Sequence, residues 1–213
     1  MNRPTPEDAP RLDRPRRLVL EYRLVDEVTV GDEDPTRHIE RWTATVTSDD
    51  AEPVGYAHVI ILNLEGDMEI ADLTDAASGT WREPAARAGA GSGAAGVLGE
   101  HVLVLDRVFI EPAHRGCGLG PIVAALVIGR LRRGCRIAVC FPAPFDGPRS
   151  DDDRDEAIEA LGRIWQTVGF SPRPDGVWVL DLEDDTLRLA TDRMLAAASG
   201  SAFNLATRRQ GTR

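Results

Sequence analysis

Apolar and polar positions alternate along residues 16–26 (RRLVLEYRLVD) and 38–47 (HIERWTATVT), the period-two pattern of half-buried strands. The acidic stretch VGDEDPTR separates the two as a turn. SDDAEPVG then leads into 56–64 (YAHVIILNL), a more continuously apolar strand, so the chain opens as an antiparallel meander. The strongest strand is 101–110 (HVLVLDRVFI). A glycine-rich turn follows it, then an almost wholly apolar helix over 119–133 and a strand over 136–141 that ends at FPAPFDGP. Ser150 and the three aspartates after it form a helix N-terminus, with a capping side chain and negative charge at the positive dipole end. Ala157, Ile158, Leu161, Ile164, Trp165 and Val168 share one face of that helix, and Gly169 occupies the C-cap position. A hairpin turning at Asp175-Gly176 runs out through 177–182, and a closing helix over 184–198 is predicted around Leu187, Met194 and Leu195.

The remaining segments carry no such periodicity. Residues 1–15 hold four prolines and read as a disordered extension, and the last dozen residues read as tail. Residues 65–99 combine an acidic stretch, predicted as one helix before Pro84, with the low-complexity loop AGAGSGAAG. No internal repeat is present. The organisation expected is therefore an extension over 1–15, one domain over 16–182, and a helix with tail over 183–213.

Composition narrows the chemistry. Of 213 residues 42% are apolar and 28% charged, enough for a packed core. The formal charge of −10 repels phosphate backbones and anionic lipid, so nucleic acid and membrane surfaces are not expected partners. All 25 basic residues are arginine. A chain without lysine cannot form a Schiff base through its side chains and carries neither a Walker lysine nor a kinase strand lysine. Cys117, Cys135 and Cys140 have neither disulfide-framework nor zinc spacing and read as reduced thiols, which points to the cytoplasm; no signal or membrane-spanning run is legible.

Two glycine-rich segments compete for function. Gly91–Gly96 (GSGAAG) fits GxGxxG letter for letter. That motif must follow a strand and open a helix, whereas here a helix and a proline precede it and a strand follows, so it reads as loop. The segment 114–120 (HRGCGLG) does lie between a strong strand and a strong helix, with glycines at 116, 118 and 120. Such glycines let backbone N–H groups converge at the positive end of a helix, an anion-binding geometry, although a tight turn would need only one of them. Pro121 suits the first helical turn. GK[ST] is absent, so this is no P-loop.

The run VFIEPAHRGCGLG, residues 108–120, resembles the acyl-CoA signature of the GNAT superfamily of N-acyltransferases. Arg115, Gly118 and Gly120 match the R/Q-x-x-G-x-G/A part position by position, and Ile110-Glu111-Pro112 matches a V-x-P step. Trp165 to Phe170 resembles the later Y-x-x-x-G-F. The likeness spans about 17–182. It implies an α/β (α+β) fold with a mixed, mostly antiparallel sheet and helices on both faces. It also implies acetyl-CoA as co-substrate, with backbone groups of Val108, Phe109 and Ile110 along the pantetheine chain and the loop Arg115, Gly116, Cys117, Gly118, Leu119 and Gly120 on the pyrophosphate. A splay between the strands at 101–110 and 136–141 would open the slot.

Asp106 is the candidate catalytic carboxylate. Simple alternation puts it on one face with Val102, Val104, Val108 and Ile110, where burial raises a carboxylate towards general-base range; a structural ion pair, for instance with Arg136, is the competing role. Glu100 and His101 are weaker candidates. Two features depart from the family. Trp165 stands where a tyrosine often protonates the leaving thiolate, and Tyr22 and Tyr56 are the chain's two phenols. Only about a dozen residues, 27–37, separate the first two strands, too few for the two helices usual there; residues 65–99 are the segment left to shape the acceptor site. Five acids within 65–75 (Glu65, Asp67, Glu69, Asp72, Asp75) would attract a cationic amine if that segment reached the acceptor mouth, and would otherwise be a solvated loop. The expected activity is acetyl transfer to a primary amine of a small molecule or peptide in a ternary complex. The alternative is a non-catalytic acyl-CoA-binding module. Metal is not expected, and the sequence leaves monomer and homodimer both open.

Overall fold

The β-branched and alternating segments recognised in the sequence form a single sheet because each leaves one apolar row that only neighbouring strands and helices can cover. The computed structural model describes residues 17–25, 39–63, 101–142, 151–173 and 177–209, without the side chains of 151, 152, 154 and 200–209. Its strands are β1 (Leu18–Val25), β2 (Ile39–Ser48), β3 (Pro53–Asn63), β4 (His101–Ile110), β5 (Cys135–Cys140), β6 (Ser171–Pro172) and β7 (Trp178–Asp181). Three helices accompany them: α1 (Leu119–Leu131), α2 (Asp151–Val168) and α3 (Thr186–Arg209). The result is a mixed α/β fold whose seven-stranded sheet has the order β1-β2-β3-β4-β5-β7-β6. Every neighbouring pair is antiparallel except β4 and β5, which α1 joins as a parallel crossover.

One face of the sheet carries the main core. Val46, Val59, Leu103 and Leu105 meet α1 there, and Val123, Val127 and Ile128 of that helix are fully buried. Because α1 is apolar almost all round, it is held between the sheet and the other two helices, and its N-terminus is fixed at the end of β4. Phe170 and Val168 at the end of α2, and Leu187 at the start of α3, close the same cluster. A second apolar cluster, including Ile60, Leu62, Val102, Val104 and Val139, lies on the opposite face.

Several expectations are corrected. All three described helices pack on one face. The resemblance implied helices on both faces; the helix expected within 65–99 lies outside the described residues, as do the 1–15 extension, GSGAAG, Glu100, Ser150, the Asp175-Gly176 turn and the acidic stretch 65–75. The closing helix does not stop near 198 but runs to Arg209, so part of the expected tail is helix. Ile164 and Leu195, assigned inward, are 40% and 41% exposed.

Candidate active site

The central strand, β4, changes register at Asp106, the candidate carboxylate. Opposite β3, His58 pairs with Arg107 but Val59 pairs with Leu105, so Asp106 is the extra residue of a β-bulge. A bulge of one residue reverses the parity of every side chain beyond it. Val108 and Ile110 therefore pack into the helix-side core with Leu103 and Leu105, while Val102 and Val104 belong to the opposite cluster. This corrects the apolar row expected around Asp106, which does not share a face with Val108 and Ile110. Arg136 is also not its partner, since that guanidinium lies 2.7 Å from Glu183.

Asp106 instead stands 3.8 Å from Nδ1 of His58, an electrostatic pair too long for a hydrogen bond. Burial pushes the Asp106 carboxyl above its ordinary value, against the opposing charges of Arg107 and His58. Burial also pushes His58 below its usual 6.5, with Asp106 pulling the other way and Arg107 adding to the fall. The pair is thus an imidazole held neutral at physiological pH beside a carboxylate able to stabilise its protonated form. Next along the same face of β3 is Tyr56, its ring 4.8 Å from that of His58 and stacked 5.3 Å from Phe109 of β4. The Arg115 guanidinium lies 5.3 Å above the Phe109 ring. An unbroken row of rings therefore links the His58–Asp106 pair to the loop after β4. Sequence reasoning passed over His58; the signal available was its alternation with Tyr56 within an apolar strand.

The loop itself is built on close backbone contacts. Gly55 faces Ile110, and a Cβ there would collide with the Phe109 carbonyl, so only glycine lets β3 hold the end of β4 this closely. The Glu111 N–H then donates to the Val54 carbonyl at 3.0 Å. A single helical turn, Pro112–His114, reverses the chain. Arg115 donates its Nε–H to the Ile110 carbonyl at 2.8 Å, tying the loop to the strand it leaves. Gly116 and Gly118 adopt left-handed φ of 79° and 76°, and Gly118 is the N-cap of α1, with no side-chain cap and no acidic residue in the first turn. A Cβ on Gly116 or Gly118 would meet nothing within 4 Å, so these backbones face open space. Loop N–H groups at an uncapped helix N-terminus suit an anion. The Cys117 thiol donates to the His114 carbonyl at 2.8 Å, a structural role, while burial pushes Cys135 up to about 11 and Cys140 higher still, leaving both as inert core thiols.

Beside this loop the sheet opens. The parallel pairing of β4 with β5 ends at Leu105 and Cys140, so from Asp106 to Ile110 the β4 edge runs on without β5 beside it. Residues 106–110 thus hold β3 on one side and lead straight to the glycine loop on the other.

The other candidates fall elsewhere. His101 is at the far end of β4, with Nδ1 buried over Gly134 and no hydrogen-bond partner. Trp165 is half-buried and packs edge-on against the core residue Phe170, 6.1 Å between ring centroids. Tyr22 lies on β1. Among the described residues no group of histidine, cysteine and acidic side chains is placed to hold a metal ion, and no helix is long and apolar enough to cross a membrane. No model of a known protein family matches the chain, and no curated protein matches it.

Proposed function

We propose that the chain is an acyl-CoA-dependent N-acetyltransferase of the GNAT type, acting on a primary amine. The observation that carries this reading is the continuity of the β4 edge released by β5 with the uncapped, glycine-lined N-terminus of α1. An extended ligand that bears amides along one part and phosphates at the other finds strand backbone for the first and loop N–H groups for the second. The residues that would hold it are Val108, Phe109 and Ile110 through their backbones, and Arg115 to Gly120 through the loop. When bound, acetyl-CoA supplies an acetyl group activated as a thioester.

The protein's own part is to position the amine and take its proton. His58, neutral because it is partly buried, offers a lone pair, and Asp106 stabilises the imidazolium that forms. Backbone N–H groups at the bulged strand are the oxyanion donors of this scheme. Tyr56, on the same face as His58, is the phenol available to return a proton to the departing thiolate, the task the family gives to the position held here by Trp165. The packing of Trp165 against the core is what favours the second reading, a domain that binds acyl-CoA without chemistry. Calorimetry with CoA, together with thioester consumption over a panel of amines, separates the two. Binding with amine-dependent consumption supports the enzyme, binding alone supports the module, and absence of binding rejects both.

A further inference from the structure

The far edge of the sheet from β6 ends in a strand that natural proteins would ordinarily guard. β1 pairs with β2 from Leu18 to Val25 without a bulge, and among the described residues no strand lies on its other side. It contains neither proline nor lysine, the usual blocks to edge-to-edge pairing. Val19 and Leu24 on it are 37% and 38% exposed. Beside it an open, largely apolar groove of about 460 Å³ runs between β1, α1 and α3, floored by Leu20, Leu126 and Leu187. Exposed Leu195 lies one further turn along the wall of α3 formed by Arg188, Thr191 and Asp192. Among the described residues, three of the five exposed large apolar side chains, Val19, Leu24 and Leu195, thus lie on β1 or beside this groove.

The sequence of β1 is complementary to itself over the greatest length in one register. An antiparallel pair of identical strands related by a two-fold axis sets residue i opposite a residue of the same face. Centring the axis on Tyr22 places Glu21 against Arg23 twice, Leu20 against Leu24 twice and Val19 against Val25 twice. Centring it on Glu21 or Arg23 opposes like charges at the axis, centring it on Leu20 opposes Arg17 with Arg23, and centring it on Val19 pairs Arg17 with Glu21 but leaves residues 22–25 beyond the paired length of the strand. The two charges on β1 therefore do not protect the edge; they fix a partner.

We propose that β1 is the interface through which two copies of this chain associate, joined edge to edge about a two-fold axis at Tyr22 into one continuous sheet, with Leu20, Tyr22 and Leu24 of both copies forming an apolar stripe beside the two grooves. This association is independent of the acetyltransferase reading, because β1 lies three strands away from β4.

Light scattering coupled to size exclusion, over a concentration series, tests it. Wild type should show twice the 23.2 kDa chain mass and dissociate on dilution. Glu21→Arg and Arg23→Glu each oppose like charges at both cross-strand pairs and should raise the dissociation midpoint about tenfold or more. An equimolar mixture of the two variants, in which every such pair is again opposite in charge, should recover the dimer, as should the double exchange. That recovery also shows that each variant is folded. A wild type that stays monomeric into the hundreds of micromolar, or a dimer indifferent to both single variants, overturns the proposal.

Discussion

The anion-loop assignment makes Gly120→Glu a variant that should become more stable while losing its ligand. Gly120 sits in the first turn of α1 with ordinary helical φ, and an added Cβ would lie 3.9 Å from Ile110 Cγ1, an unstrained contact. Replacing glycine in a helix gains about 0.5–1 kcal/mol of propensity, and a carboxylate in the first turn gains about 0.3–1 kcal/mol from the dipole. A net gain of about 1 kcal/mol raises Tm by about 2–4 °C in a protein of this size. Against a phosphate the same carboxylate is repulsive: like charges about 5 Å apart at an effective dielectric of about 20 cost about 3 kcal/mol, more than a hundredfold in affinity. Gly120→Ala serves as control, because it adds the same Cβ without the charge; it should keep CoA binding and a small stability gain. Gly118→Glu is the poorer probe, since its φ of 76° adds about 1–2 kcal/mol of backbone strain to any side chain. Calorimetric titration with CoA beside a thermal melt measures both quantities. Gly120→Glu binding CoA with wild-type affinity refutes the loop assignment, and a melt that falls refutes the account of the helix terminus.

Other perturbations probe the remaining parts. If His58 takes the proton, His58→Ala should lower kcat/KM about a hundredfold, and the acid limb of the wild-type profile should lie below 6.5. Asp106→Asn should move that limb lower still, because the charge that opposes the fall of His58 is gone; an unmoved limb excludes the pairing. The same depressed His58 value has a stability sign. Its contribution is intact above 6.5 and declines as pH falls from 6.5 through the folded value, so His58→Ala should flatten the loss of Tm over that window. Arg115→Ala should weaken CoA binding only several-fold, through a loosened loop, since it removes the tie to the Ile110 carbonyl and the contact with Phe109 but leaves the loop N–H groups. Gly162→Ala should lower stability by about 1–2 kcal/mol despite better helix propensity, because its Cβ would lie 2.7 Å from Cζ2 of Trp178; an unchanged melt shows that the indole can move aside.

What the sequence disclosed follows from what local pattern can encode. The strand limits of β4 and the start of α1 were legible because apolar runs bracket a glycine-rich turn, and the three glycines marked the loop. The bulge was not legible, because an inserted residue leaves no local trace and reveals itself only in the register with β3. Alternation alone therefore grouped Asp106 with Val108 and Ile110. His58 was hidden for the same reason: its relation to Asp106 is a cross-strand one, set by pairing between segments separated by residues 64–100. The length of α3 was not legible because the stretch beyond 198, SGSAFNLATRR, holds a glycine, two serines and an asparagine, all weak helix formers, and lacks an apolar stripe.

The most direct test of the central claim is the loss of thioester absorbance when acetyl-CoA is incubated with the protein and a panel of primary amines, wild type beside Gly120→Glu. The account predicts consumption that requires an amine, rises with protein concentration and disappears in the Gly120→Glu protein while its fold persists. Consumption by Gly120→Glu equal to that of wild type, or none by wild type with any amine, would contradict it.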